Sequence, residues 1–320
     1  MSGPNLESHT AHGAIPSKTA SQLARETHQV NAVTLRRATV APPGSLMHAA
    51  TMNERIQQTF DRLRREGKTA LIPYITAGDP DLETTRKTLC AMADAGADLI
   101  EVGVPFSDPM ADGPVIQRAM ERALASGTRL TGCLDVVRHF RKDHPETPVV
   151  LFGYYNPIHR RGVDNLCAEA AEAGIDGLLV VDLPAEIADE LLTPMAEHQL
   201  DFITLFTPTT DGDRLTRLAQ QTSGFAYLVA MKGVTGGALQ NWESLEERVN
   251  QVREAADVPV AVGFGVRTPE EATRLARFAD GVVIGSALIE TMNPQLGGDV
   301  AGRAGAFIAK VRQALDARPG

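Results

Sequence analysis

Cysteine is scarce: only Cys90, Cys133 and Cys167 occur in 320 residues. Odd in number, far apart and set in stretches that read as helical, they exclude a disulfide framework and a zinc knuckle, and they suit a reducing compartment such as the cytoplasm. No apolar run approaches the ~18 residues that a membrane span requires. Basic residues are the minority, 31 Lys and Arg against 40 Asp and Glu, and the formal net charge of -9 argues against a broad surface for nucleic acid or anionic membrane. An anionic substrate would then need local capture. Metal-site spacing is missing too: His139, His144, His159 and His198 share no predicted helical face, so no metal is expected. What the chain does have is apolar content, 43%, enough for a sizeable core and too much for disorder throughout.

That content is unevenly spread. Residues 1–51 are rich in Ala, Ser, Thr and Pro, show no period of 2 or 3.6, and carry Lys18, Arg25, Arg36 and Arg37 against Glu7 and Glu26. They predict a disordered extension, foreign in charge to the acidic remainder. A secretory signal would need a continuous apolar stretch, which this segment does not contain. Its Ser-rich, acid-poor composition mildly resembles an organelle transit peptide, but an upstream start codon or an ornamental tail is preferred to targeting. Met52 reads as the natural first residue of a single catalytic domain over 52–320.

From there the pattern is regular. Ile56, Phe60 and Leu63 mark one face of a helix that ends near Gly67. Eight short apolar runs follow, at 70–76, 98–104, 148–154, 177–183, 202–206, 225–230, 258–263 and 281–285, with amphipathic stretches between them. Nearly continuous Val, Ile and Leu, as in Leu178-Leu179-Val180-Val181, suits parallel strands buried on both faces. Eight strand-then-helix units predict an α/β fold, a (β/α)8 TIM barrel with an N-terminal helix preceding strand 1. The alternative, an open doubly wound sheet, is disfavoured because no Gly-x-Gly-x-x-Gly follows the first run. A barrel places chemistry at the carboxyl ends of its strands.

The second run carries Glu101 inside an apolar strand, then Pro105-Phe106-Ser107-Asp108-Pro109-Met110-Ala111-Asp112-Gly113-Pro114. A buried carboxylate is either neutralised or held by donors, so Glu101 reads as a catalytic acid or as half of a structural salt bridge. Asp112, in the irregular loop after the same strand, favours the first reading: two carboxyl groups over one apolar pocket can divide acid and base roles. Asp108 reads as a turn or cap residue. Gly263-Phe264-Gly265 and Gly285-Ser286 close the last two strands, where backbone N–H groups can hold a phosphate; close helix–strand packing is the other use of such glycines. Met231-Lys232-Gly233-Val234-Thr235-Gly236-Gly237 reads as a glycine-flanked lid. Lys232 leaves open a Schiff-base aldolase, a phosphate contact or a solvated loop lysine.

Pro73-Tyr74-Ile75-Thr76-Ala77-Gly78-Asp79-Pro80, the Glu101-x-Gly103-x-Pro105-Phe106-Ser107-Asp108-Pro109-x-Ala111-Asp112-Gly113-Pro114 motif, Gly233-Val234-Thr235-Gly236 and Gly263-Phe264-Gly265 together closely resemble the tryptophan synthase alpha chain family, from about Met52 almost to the C-terminus. The resemblance implies a lyase that cleaves indole-3-glycerol phosphate to indole and glyceraldehyde 3-phosphate. It implies Glu101 as general acid and base and Asp112 as the acceptor for the indole N–H. Tyr74, Ile100, Tyr154, Leu179, Tyr227 and Phe264 would line the substrate pocket, with Thr235 on the lid. Gly236, Gly265, Gly285 and Ser286 would hold the phosphate. No cofactor is implied for this chain; pyridoxal phosphate would belong to a beta-chain partner in an alpha2beta2 complex. Docking would use the 105–114 loop and the surroundings of Asp79 and Asn156-Pro157. The Leu296-Gly297-Gly298 segment looks unusual and should lie away from the phosphate grip.

Overall fold

The structure, a computed structural model, describes residues 53–184, 187–230, 242–263 and 265–317. Among them, in chain order, are α1 (Glu54–Glu66), β1 (Ala70–Thr76), α2 (Leu82–Asp94), β2 (Ile100–Gly103), α3 (Pro114–Ala125), α4 (Leu130–Asp143), β3 (Val149–Gly153), α5 (Tyr155–Arg161), α6 (Val163–Ala173), β4 (Gly177–Val180), α7 (Asp189–Glu197), β5 (Asp201–Phe202), β6 (Thr204–Phe206), α8 (Gly212–Gln221), β7 (Ala226–Val229), α9 (Trp242–Ala256), β8 (Val260–Gly263), α10 (Pro269–Leu275), β9 (Gly281–Ile284), α11 (Ser286–Met292) and α12 (Val300–Asp316). The expected extension over 1–51 lies outside the described residues.

All the strand pairs are parallel, in the order β5-β4-β3-β2-β1-β9-β8-β7-β6. The eight expected strands are present, but the fifth is divided. Its first half pairs with β4, its second with β7, and between them stands Ile203, whose N–H donates to the Leu178 carbonyl. The two edges of the sheet are therefore consecutive pieces of one stave. The sheet is a nearly closed eight-stave barrel, and the open-sheet alternative does not apply.

Strand alternation sorts the core into two layers. Leu71, Ile100, Val102, Val149, Leu178, Leu228 and Val262 face the helices. Ala70, Ile72, Leu99, Val150, Leu179, Phe225, Ala261 and Val283 fill the barrel, joined by Ile56, Phe60 and Leu63 from α1. That helix starts at Asn53, whose side chain accepts from the Arg55 N–H, and stops at Gly67, whose φ of 64° suits the left-handed cap that glycine adopts without strain. It closes the amino-terminal end of the barrel.

A set of aspartates fastens the same end. Asp98, Asp176 and Asp280 each stand just before a strand and accept the N–H of a residue near the start of a neighbouring strand: Leu71 at 3.0 Å, Val149 at 2.7 Å and Val260 at 2.8 Å. Arginines complete each carboxylate: Arg62 and Arg312 at Asp98, Arg55 and Arg141 at Asp176, Arg253 at Asp280. With its polar backbone paired in this way, the lower end is rigid, and the carboxyl ends of the strands are left to the loops that carry chemistry.

Candidate active site

Glu101 sits at the middle of β2, between Tyr74 of β1 and Val150 of β3. Because side chains alternate, Leu99 and Glu101 point into the barrel while Ile100 and Val102 point at the helices. Ile100, expected on the pocket wall, is thereby corrected: a strand cannot turn two adjacent side chains to the same face. Glu101 is fully buried, and among the described residues neither carboxyl oxygen has a hydrogen-bond partner. Burial alone raises its pKa to about 8, so at neutral pH it is a neutral carboxylic acid with a proton to give.

Asp112 lies in the loop after β2. Met110 N–H to Asp108 O, Asp112 N–H to Pro109 O, and two bonds from Gln117 Nε2 of α3, to the carbonyls of Pro109 and Asp112, shape the turn. Pro114 opens α3, its missing N–H being one that the first helical turn leaves free. The Asp112 carboxylate accepts from the Tyr154 hydroxyl at 2.6 Å. Burial raises its pKa and the Tyr154 bond opposes the rise.

Tyr74, Tyr154 and Tyr227 complete the group. The Tyr74 and Tyr227 phenols are raised well above their ordinary range, first by burial and then by the charges of both Asp112 and Glu101, which places all four around one space. Two glycines make that space. A Cβ on Gly103 would stand 2.2 Å from the Tyr74 hydroxyl, and one on Gly263 would stand 2.1 Å from the Tyr227 hydroxyl. The relation repeats: each tyrosine leans along its strand toward a glycine paired two residues further on, Thr76 with Gly103 and Val229 with Gly263. Gly263, expected to admit a ligand to the backbone, therefore makes room for Tyr227. Phe152 meets Tyr74 edge-on at 5.1 Å, and Phe106 stacks on Tyr154 at 5.0 Å. The sequence reading missed Gly103, Phe106 and Phe152 in these parts, since their partners become apparent only with the strand register.

Leu179 lies in the barrel interior, beside Phe152. Gly265 has φ 100°, a conformation open to glycine, just past β8; Gly285 and Ser286 join β9 to α11. Thr235, Gly236, Lys232 and Phe264 lie outside the described residues. Asp79, whose surroundings are expected to take part in docking, is itself buried under a two-pronged ion pair with Arg122 of α3, both contacts at 2.7 Å, because an interior carboxylate needs such a partner. Asn156 and Pro157, in the first turn of α5, line a groove of about 590 Å³ together with Pro105, Phe106, Ser107 and Arg160. The Gly297-Gly298 segment follows the far end of α11, about 10 Å from its start. Among the described residues, no group of three or more His, Cys, Asp and Glu side chains is placed to hold a metal ion.

A (β/α)8 barrel with a neutral buried acid and a second carboxylate at the carboxyl ends of its strands is the frame of an acid–base enzyme. The family model of the tryptophan synthase alpha chain matches residues 60–313. A solved structure of tryptophan synthase subunit alpha from Legionella pneumophila is 42% identical, with a TM-score of 0.76, over 82% of this chain and 98% of its own. A tryptophan synthase structure from Mycobacterium tuberculosis is 36% identical, with a TM-score of 0.75, over 85% and 100%. The chain belongs to the tryptophan synthase alpha chain family, the lyases that cleave indole-3-glycerol phosphate to indole and glyceraldehyde 3-phosphate.

Proposed function

We propose that Glu101 is the proton-transfer group of this cleavage and Asp112 the partner of the indole nitrogen. The observation that carries the reading is the Glu101 carboxyl, neutral, buried inside the barrel and without a hydrogen-bond partner among the described residues. Cleavage breaks the bond from indole C3 to the carbon that bears the neighbouring hydroxyl. Glu101 gives its proton to C3, and positive charge appears on the ring nitrogen, where the Asp112 carboxylate stabilises it through the N–H. Loss of the hydroxyl proton turns that carbon into the aldehyde of glyceraldehyde 3-phosphate. The electron pair of the broken bond returns to the ring and neutralises the nitrogen. Glu101, now ionised, takes the hydroxyl proton and is restored. Tyr74, Tyr154, Leu179, Tyr227 and Phe264 supply the apolar wall, Gly265, Gly285 and Ser286, with Gly236, hold the phosphate, and Thr235 belongs to the lid.

The partner in this reading is a beta chain in an alpha2beta2 complex. It would carry pyridoxal phosphate and receive the indole in the cytoplasm. The groove beside Phe106 and the exposed Met110 and Ile187, which lie in the loops after β2 and β4, support docking on the catalytic face. Glu101→Gln tests the chemistry: indole release is expected to fall by at least ~100-fold, the scale of a lost acid–base group. The wild-type rate should decline as pH rises through about 8, where the required proton leaves Glu101. Undiminished turnover in the variant would overturn the assignment.

A further inference from the structure

Tyr154 makes more contacts than a pocket wall requires. Its hydroxyl donates to Asp112 Oδ2 at 2.6 Å and at the same time accepts the Ala111 N–H at 3.1 Å. One oxygen thus ties together the carboxylate and the backbone that carries it. The ring is buried and seated by the Phe106 stack, and the next residue is pinned by the Tyr155 N–H bond to Asp182 at 2.7 Å. Both ends of the tie are therefore fixed: the β3 end holds the hydroxyl, and Gln117 holds the Asp112 carbonyl from the other side. Oδ2 is occupied, and among the described residues no hydrogen bond reaches Oδ1.

We propose that Tyr154 is the positioning residue for Asp112, fixing the carboxylate so that Oδ1 is aimed at the indole N–H. The proposal rests on the assignment of Asp112 above and adds the means by which a loop residue is held to the geometry that catalysis needs. A carboxylate on an irregular loop samples several rotamers, and a misplacement of ~1 Å can lower a rate ~100-fold. Two bonds to one buried hydroxyl remove that freedom before substrate arrives. The Tyr154 phenol is itself raised by burial and by Asp112, so it remains a donor.

Tyr154→Phe keeps the ring and removes the hydroxyl. In the full chain, kcat for indole release is expected to fall ~10- to 100-fold with KM changed less than twofold. Because the Tyr154 bond lowers the Asp112 carboxyl, its loss should also move the acid limb of the kcat/KM profile to higher pH. The other groups sharing the space, Glu101, Tyr74 and Tyr227, are unchanged, and Asp182 is common to both proteins. Phe106→Leu, which leaves the hydroxyl but loosens its seat, should give the same two effects at smaller amplitude. Wild-type kcat and an unmoved acid limb in both variants would overturn the positioning role. Asp112→Asn separates the two claims: if it retains full activity the assignment of Asp112 fails, whereas an inactive Asp112→Asn beside a fully active Tyr154→Phe defeats the positioning role alone.

Discussion

At the scale of the residue, the site holds a group the fold would be steadier without. Glu101 is buried with no partner among the described residues and binds its proton up to about pH 8, whereas the unfolded chain releases it near ~4.3. The folded state therefore binds the extra proton between those values, and stability falls as pH rises through them, then levels off. Glu101→Gln is expected to be more stable than wild type by on the order of 4–5 kcal/mol at pH 8, with the difference vanishing near pH 4. Urea titrations across that range measure it, and equal midpoints at pH 8 would show that Glu101 is not strained. Glu101 and Asp112 stood out as candidates in the sequence because a carboxylate is conspicuous in an apolar strand and again in a Pro- and Gly-bounded loop. Ile100 was misread because strand alternation, which turns it to the helices once its neighbour Glu101 faces inward, was not applied to it. At Gly263 the sequence left two uses open, because a missing side chain serves a neighbouring ring and a ligand equally well.

At the scale of the element, periodicity located the staves and left one break unseen. The fifth run, 202–206, reads as continuous, and only the pairing shows its two halves bonded to different neighbours about Ile203. Helix α1 was legible down to its Gly67 stop, since Ile56, Phe60 and Leu63 recur at helical spacing. The aspartates before β2, β4 and β9 were not recognised, although each follows a helix end and opens an apolar run. Their role depends on arginines up to 214 positions away, as Arg312 is from Asp98, and such distances leave no local trace. Asp176 is the most buried of the three, bonded to Arg55, Arg141 and the Val149 N–H. Asp176→Ala leaves Arg141 facing the interior unpaired and is expected to destabilise the chain by about 3–5 kcal/mol. Thermal melts check this, and a loss under 1 kcal/mol would show the cluster to be ornamental.

At the scale of the whole molecule, the barrel followed from eight strand-then-helix units, and the comparisons bear out the family. The catalytic face also carries the groove beside Phe106. There Arg129 and Arg160 form no ion pair among the described residues, which suits a partner surface bearing carboxylates. Arg160→Glu is expected to raise the beta-chain concentration giving half-maximal stimulation by about tenfold, from charge repulsion at the contact. An unchanged titration would move the docking surface elsewhere. Helix α1 adds a further consequence. With Ile56, Phe60 and Leu63 packed into the barrel's lower end and the interior filled above them, the barrel is corked at its base among the described residues. The cork leaves the carboxyl ends of the strands as the expected route for substrate and products, and in the proposed complex a beta chain seated there would meter the traffic in both directions.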